Sequence, residues 1–398
     1  MSVSPLIISA ARPAAPPPKG NAILALGFRP LFLAAGVAGL LLIPLWLLRL
    51  GGMTLNGDFS PSAWHAHEML FGYATAVISG FLWTAVRNWS GQDTPSGLPL
   101  LGLTLVWLAG RLVMLSPLPG EWIAGVDLAF LPLVALGIAG PIWRDRNRLN
   151  RLFIPLLLGM ALANGLTHLE ALGWPVVPGI GQRLMMGLVV VLLLWVLGRV
   201  LPFFTERAIP GLKTRMLGEI EKASVVLALL FLSLNLWYPT PAAGVAAITL
   251  AIVQGVRAWG WWDRRVLNIP ILWVLHLGYG FLILGIAGVG LSHLGWVPGS
   301  LALHLLAVGG VGLLTLGMMA RVSLGHTGRV LTTSRLTEFA FVLMAGATLF
   351  RVLGPGVFPQ GYWLWLTLAG LLWSLAFALF LWVYAPILWQ PRVDGQPG

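Results

Sequence analysis

Long apolar stretches recur along the chain from residue 28 almost to its end, and short polar or Gly/Pro-rich segments separate them. A helix needs about 20 mostly apolar residues to cross the hydrocarbon core of a bilayer. The pattern therefore predicts an all-α integral membrane protein with about twelve transmembrane helices. The predicted spans are 28–50, 64–86, 98–116, 122–142, 152–172, 182–200, 223–238, 241–258, 269–292, 300–321, 336–354 and 361–388.

The same pattern divides the chain into one large domain and two short tails. Residues 28–388 are predicted to form a single polytopic transmembrane domain. Residues 1–27 are Pro-rich and lack the short apolar core of a cleavable signal peptide, so we expect a disordered cytoplasmic tail. Residues 389–398 are predicted to be a cytoplasmic C-terminal tail.

Lysine and arginine test the topology independently, because the cytoplasmic loops of membrane proteins carry the positive excess. Of the 24 basic residues, 20 fall in the tails, at the start of the first helix, or in the loops after every second predicted helix. This alternation predicts an even number of helices with both termini in the cytoplasm.

Composition narrows the function classes. The chain is 58% hydrophobic and 9% charged, whereas about a quarter of the residues are charged in a typical soluble domain. The net charge of +11 does not predict a nucleic-acid partner, because the basic residues punctuate apolar spans instead of covering one solvated face. The chain has no cysteine, which excludes thiolate ligands and covalent c-type haem.

The remaining four basic residues lie at predicted outer helix ends: Arg49, Arg111, Arg183 and Arg351. Long cationic side chains at such positions often reach toward the interface. The alternative is that they pair with buried acids or with the propionates of a cofactor. The sequence leaves both interpretations open.

Ionisable groups inside a membrane span mark candidate functional sites, because burying them in lipid costs free energy. His276 lies near mid-membrane in helix 9, and His326 lies in the predicted cytoplasmic loop after helix 10. The other five histidines fall at outer helix ends: His65, His67, His168, His293 and His304.

Three acids fall in the same outer layer as these histidines: Glu68, Asp127 and Glu170. Neutral imidazole is a good ligand for iron, copper and zinc, so the layer could bind metals, relay protons or carry a substrate. A single membrane histidine more often makes a hydrogen bond between helices. The metal hypothesis therefore depends on the clustering.

The strongest local signal is the segment WHAHEM at residues 64–69. On a regular helix, two residues that are two positions apart point about 200° apart, so His65 and His67 cannot face one metal. The pair either chelates one ion from a non-helical segment or serves two neighbouring centres. An interfacial Trp/His anchor is the alternative without a ligand.

Helix 9 carries a second candidate constellation. His276 and Tyr279 are three residues apart and share a face, while Gly278 and Gly280 would let a flat macrocycle or another helix approach. His276 and His304 differ in depth by roughly 10 Å at 1.5 Å per residue, so they cannot bind one ion. His326 lies still farther from His304.

Six segments together resemble the NnrS family over residues 28–351: FRP at 28–30, WHAHEMLFG at 64–72, TAVRNWSG at 84–91, LAGR at 108–111, LHLGY at 275–279 and RVSLGHTGR at 321–329. The resemblance implies a multi-pass protein of the bacterial inner membrane with noncovalent b-type haem and copper. It implies an association with denitrification and with tolerance of nitric oxide and nitrosative stress.

The resemblance also implies which residues hold the cofactors. The matching histidines are His65, His67, His276, His304 and His326, and we add Tyr279 and Arg321 from the matching motifs as candidate cofactor contacts. The first four of these histidines are the candidate metal ligands. No catalytic residue is assigned, and iron and copper are not distributed among the histidines.

Two functions stay open at this point. The first is a haem and copper protein that binds nitric oxide or another small diatomic; turnover, which would make it an oxidoreductase, is left open. The second is a transporter of copper or another small solute along a histidine-lined pathway. The chain has no Met-rich tract and no clear pair of broken helices, which counts against transport.

Overall fold

Helices account for all regular secondary structure in residues 22–54, 58–237, 239–396 and 398, which are the residues described by the computed structural model. Ten of these helices are long and apolar enough to cross a membrane. The prediction of an all-α, multi-pass membrane protein is therefore confirmed.

We number the helices in chain order. The ten candidate spans are α1 (Phe28–Leu50), α2 (Pro61–Ser90), α4 (Gly120–Trp143), α5 (Arg148–Ala171), α6 (Ile180–Ala208), α8 (Pro241–Trp261), α9 (Pro270–His293), α10 (Gly299–His326), α11 (Arg335–Val357) and α12 (Pro359–Trp389). Two further helices complete the series. Helix α3 (Leu98–Val113) is apolar but has only 16 residues, and α7 (Gly218–Asn235) has two acids in its first turn.

Each predicted span coincides with one of these helices, but several ends differ. Helix α6 extends to Ala208 and α10 extends to His326, beyond the predicted ends at residues 200 and 321. Hydropathy detects only the part of a helix that lies in hydrocarbon, whereas backbone hydrogen bonding continues into the polar residues that follow. His326, which was predicted to lie in a loop, is therefore the last residue of a helix. Twelve membrane crossings and the cytoplasmic position of both termini stay predictions.

The predicted N-terminal tail lies outside the described residues as far as residue 21, so its disorder stays a prediction. Ala22–Leu24 form a short 3-10 helix, and Ile23 and Leu26 are buried. The backbone N–H of Gly97 donates to the Leu24 carbonyl (2.9 Å). This bond ties the start of α1 to the segment before α3.

The helices pack in chain order, and α12 packs back against α1. Helix α2 is the most enclosed, because 89% of its apolar stretch is buried within the protein, whereas α1 and α9 bury 50%. The corresponding fractions are 72% for α6 and 61% for α10. The two helices that carry His65, His67 and His304 are therefore interior helices.

Helices α2 and α10 each contain a π-helical segment, Glu68–Ala74 in α2 and Leu305–Gly312 in α10. Each segment begins directly after a candidate histidine. Such segments are rare within α-helices and occur frequently at functional sites. A hydrogen bond of 2.6 Å between the hydroxyls of Tyr73 and Thr315 joins α2 to α10 near these segments.

Candidate functional site

The two histidines of the WHAHEM segment lie on a regular α-helix, Pro61–His67, and their rings occupy different environments. The ring of His65 stacks on Trp46 of α1, with centroids 4.0 Å apart. The ring of His67 turns toward α4 and α5. The two histidines therefore do not chelate one ion from a non-helical segment, and their role in two neighbouring centres stays a prediction.

His67 lies at the centre of a buried polar cluster. Its Nδ1 is 3.0 Å from a Glu68 carboxylate oxygen, and its Nε2 is 3.0 Å from Asn164 Oδ1 and 3.2 Å from Asp127 Oδ2. His168 Nε2 lies 3.0 Å from the same Asp127 oxygen. The three nitrogen and oxygen atoms of His67, Asp127 and His168 that could bind a metal all lie within 4.8 Å of one another.

Arg111 supplies the cation of this cluster. Its guanidinium pairs with Asp127 Oδ1 and has its Nε 3.4 Å from Glu68 Oε2. Asp127 Oδ2 stays directed at the two imidazoles, and Asn164 Nδ2 donates to that oxygen (2.7 Å). We call the six residues the His67 cluster: His67, Glu68, Arg111, Asp127, Asn164 and His168.

Aromatic side chains separate the His67 cluster from its surroundings. The Phe59 ring lies 5.1 Å from the His67 ring and 5.5 Å from the His168 ring, and Phe71 lies 5.1 Å from the His67 ring. His67 is fully buried and His168 is 2% exposed. Charge interactions are stronger in such a site than in water, because little solvent is present to screen them.

The second centre pairs His65 with His304 of α10, and we call these two residues the imidazole pair. Their rings are parallel within 2°, with centroids 6.4 Å apart. His65 Nδ1 is buried and has no hydrogen-bond partner. His304 Nδ1 donates to the Ser300 carbonyl (2.7 Å), and its Nε2 accepts from Arg351 (3.2 Å). The free electron pair of His304 Nε2 therefore points toward Arg351.

His276 lies apart from both centres, beside a cavity of about 270 Å³ between α8 and α9. Its Nε2 is 3.0 Å from the Thr205 hydroxyl of α6. The other lining residues are two tryptophans, two glycines and an alanine: Trp259, Trp262, Gly255, Gly280 and Ala258. The two glycines of helix 9 differ in their surroundings. A Cβ on Gly278 would stand 2.8 Å from Leu314, which indicates helix packing, whereas one on Gly280 would meet open space.

Tyr279 belongs to a different network from His276. Its hydroxyl donates to Gln254 (2.6 Å), and Arg257 joins the same group while pairing with Glu221 at 2.7 Å. The structure therefore places Tyr279 at the α7–α8–α9 contact. Arg321 lies with its guanidinium 3.6 Å from the centre of the Phe204 ring. In the described part of the chain, Arg321 has no acidic partner.

His326 is separate from the other candidate histidines. Its ring lies 5.7 Å from the Phe28 ring, and its carbonyl accepts from Arg392 (3.0 Å). Arg392 also pairs with Asp394 at 2.5 Å, and this hydrogen bond lowers the pKa of Asp394 to about 2. These contacts dock the C-terminal segment onto the end of α10.

The four outer arginines do not behave alike. Arg111 pairs with two buried acids, as one of the two interpretations predicted. Arg49 donates to the Phe59 carbonyl (3.1 Å), Arg183 donates to the Leu236 carbonyl (3.0 Å), and Arg351 donates to His304. Among the described residues these three have no acidic partner.

Five members of the His67 cluster are absent from the predicted site residues: Glu68, Arg111, Asp127, Asn164 and His168. Asp127 and His168 were predicted to lie in the outer layer, but sequence spacing gave no link between α4 and α5. A weak signal exists within α5, where Asn164 and His168 are four residues apart and so share a helix face. Glu170, which was also placed in that layer, instead accepts from the Gly179 backbone (2.8 Å).

A comparison with protein families identifies the relatives of this chain. The family model described as NnrS protein matches residues 22–392, which is nearly the whole chain. The chain belongs to the NnrS family. A comparison with curated proteins finds no match. NnrS membership confirms the resemblance based on the six sequence segments, including those that supply His65, His67 and His276.

Proposed function

We propose that this chain is a haem- and copper-binding protein of the bacterial inner membrane that binds nitric oxide as part of the nitric oxide response. Membership of the NnrS family and the ten apolar helices support this assignment. The observation that carries it is the imidazole pair. Two imidazoles from different helices lie parallel, and the buried Nδ1 of His65 has no hydrogen-bond partner.

Copper fits the imidazole pair. Imidazole is a suitable ligand for copper, and the chain has no thiolate to compete with it. The hydrogen bond from His304 Nδ1 to Ser300 fixes the tautomer that leaves Nε2 free to bind a metal. Trp46 holds the ring of His65 by stacking on it. Arg351 would have to move away from His304 Nε2 when a metal binds there.

Haem would bind in the open cavity beside His276. Histidine is one of the residues that hold haem iron in proteins, and this cavity combines one imidazole with two indole rings, of which Trp259 is 82% exposed. Gly255 and Gly280 add no side chain and a Cβ on either would meet open space, so a flat macrocycle can approach this face of α8 and α9. The guanidinium of Arg321 is a buried cation without an acidic partner in the described part of the chain. It could therefore pair with a haem propionate.

Haem and copper would supply the chemistry, and the residues of the chain would position both groups. Haem iron binds small diatomic molecules, and copper offers a second metal to which a ligand can bind. The chain itself fixes the tautomer of His304, stacks Trp46 on His65, and places Arg321 as a countercharge. Whether nitric oxide is also reduced or oxidised is a separate question for kinetics.

A visible absorption spectrum and a copper analysis of the detergent-purified protein test the proposal. We expect a Soret band that shifts on addition of nitric oxide. His276→Ala should remove or shift that band, whereas His304→Ala should lower the copper content. His293→Ala is the matched control, because His293 lies at the end of α9 outside both sites. Absence of a Soret band after expression with adequate haem would refute the haem assignment.

The transport of copper remains the second candidate. Its supporting observation is that histidines occur at several depths along α2, α9 and α10 instead of in one centre. Copper uptake into vesicles that contain the protein, with no Soret band, would favour transport over nitric oxide binding.

A further inference from the structure

The His67 cluster has the composition and spacing of a metal site that is distinct from the imidazole pair and from the His276 cavity. Two imidazole nitrogens and one carboxylate oxygen, contributed by α2, α4 and α5, converge within 4.8 Å. All three side chains are buried: His67 is 0%, His168 2% and Asp127 5% exposed. Burying an ionisable group in a membrane helix costs free energy, so such groups mark candidate functional sites.

The distances between these atoms match those between ligands of one ion. Asp127 Oδ2 lies 3.2 Å from His67 Nε2 and 3.0 Å from His168 Nε2. Nitrogen and oxygen ligands bind a transition metal at about 2.0–2.1 Å, which places neighbouring ligands roughly 3 Å apart. A small movement of the side chains would therefore be enough to accommodate the ion.

The surrounding side chains orient the three ligands. Glu68 lies 3.0 Å from His67 Nδ1 and leaves Nε2 as the ligand atom, an arrangement that metal-binding histidines usually show. Arg111 occupies the far oxygen of Asp127, so the near oxygen faces both imidazoles. The π-helical segment that starts directly after His67 is a further mark of a functional site.

The charge of the cluster also favours a cation. The carboxylates of Glu68 and Asp127 carry two negative charges, and Arg111 carries one positive charge. His67 has acceptors at both ring nitrogens, Glu68 at Nδ1 and Asp127 with Asn164 at Nε2, so a second proton on His67 balances the remaining negative charge when no metal is bound. A metal ion that displaces the Nε2 proton leaves the imidazole neutral and takes over the role of the positive charge. A divalent cation with an anionic fourth ligand, such as hydroxide, would make the site neutral.

We propose that His67, Asp127 and His168 bind a divalent first-row transition-metal ion with three protein ligands and a free coordination position. Three protein ligands and an open fourth position are the usual pattern of catalytic metal sites. This site does not rest on the proposed haem or copper assignment. It includes two residues, Asp127 and His168, that neither of those assignments uses.

The test uses Zn²⁺ as the probe, because zinc has no redox chemistry and does not require haem. The full chain is purified in detergent, depleted of metal with a chelator, exposed to Zn²⁺ and freed of excess zinc by gel filtration. We expect the Asp127→Asn and His168→Gln variants each to bind about one zinc ion per chain fewer than the unchanged protein. This difference corresponds to the loss of one three-ligand site. The control is His293→Gln, because His293 lies outside the cluster and also has a buried ring nitrogen. This variant should bind as much zinc as the unchanged protein.

X-ray absorption at the zinc edge of the unchanged protein keeps the proposal testable if a variant fails to fold. Imidazole scattering at about 2.0–2.1 Å that decreases in a folded variant supports the site. Equal zinc contents in all four proteins, or zinc bound without imidazole, would overturn it and leave the cluster as a hydrogen-bonded network. His276→Ala, added to the same assay, separates this result from the haem assignment: the haem assignment predicts a changed Soret band, whereas the zinc site predicts an unchanged zinc content.

Discussion

Arg111→Met tests whether the His67 cluster is a dry ionic network. Arg111 is the only arginine or lysine that contacts both acids of the cluster in the described part of the chain, and its side chain is 9% exposed. Methionine keeps much of the side-chain volume but leaves the carboxylates of Glu68 and Asp127 without their countercharge. Removal of one partner from a buried pair costs about 3–5 kcal/mol, because an uncompensated charge stays buried.

The matched control is Arg87→Met. Arg87 pairs with Asp93 at 2.8 Å, but the Asp93 side chain is 79% exposed. Water and salt screen such a pair, so its loss should change the free energy of unfolding by about 0–1 kcal/mol. The assay is equilibrium unfolding of both variants in mixed micelles, with increasing SDS as the denaturant and far-UV circular dichroism as the signal.

A second variant separates lost charge from lost packing. Arg111→Met combined with Asp127→Asn restores the net charge of the cluster, so we expect it to recover part of the stability that Arg111→Met loses. If Arg111→Met is no less stable than Arg87→Met, or if Asp127→Asn adds a full further loss, the buried ion pair as described is wrong.

Two further predictions concern helix packing and the His276 cavity. Tyr73→Phe removes the hydrogen bond to Thr315 between α2 and α10 and should lower the free energy of unfolding by about 0.5–1.5 kcal/mol in the same SDS titration; no change would mean that this bond does not hold the two helices together. Gly278→Leu should lower the free energy of unfolding by about 1–3 kcal/mol, because the new side chain overpacks against α10. Gly280→Leu should leave the free energy of unfolding unchanged but lower the haem occupancy, measured by the Soret band. Equal effects of the two variants on stability would contradict the difference in space beside the two glycines.

Much of the fold was predictable from the sequence, because bilayer thickness limits each apolar span to a narrow range of lengths. The alternation of basic loops then predicted which ends of the spans face the cytoplasm. Hydropathy could not predict the ends of α6 and α10, since a helix does not stop where its residues become polar. It also gave no sign of the π-helical segments, whose residues are as apolar as those of the neighbouring α-helix.

The candidate site was predictable only in part. Helical geometry showed that His65 and His67 cannot share a metal, and their rings do occupy separate environments. The partners of His67 could not be predicted, because Asp127 and His168 lie on α4 and α5 and their approach depends on how those helices pack. A single sequence contains no record of such contacts between distant segments.

The π-helical segments of α2 and α10 affect how relatives of this chain should be aligned. A π turn contains about one residue more than an α turn, and one residue corresponds to a rotation of about 100° on a helix. In a relative with a one-residue gap between Glu68 and Ala74, an α turn would therefore replace the π turn, and the residues before and after it would keep the same faces. Alignments of this family should place such gaps inside the helix, where the loss of the π turn absorbs the missing residue without interrupting the membrane span.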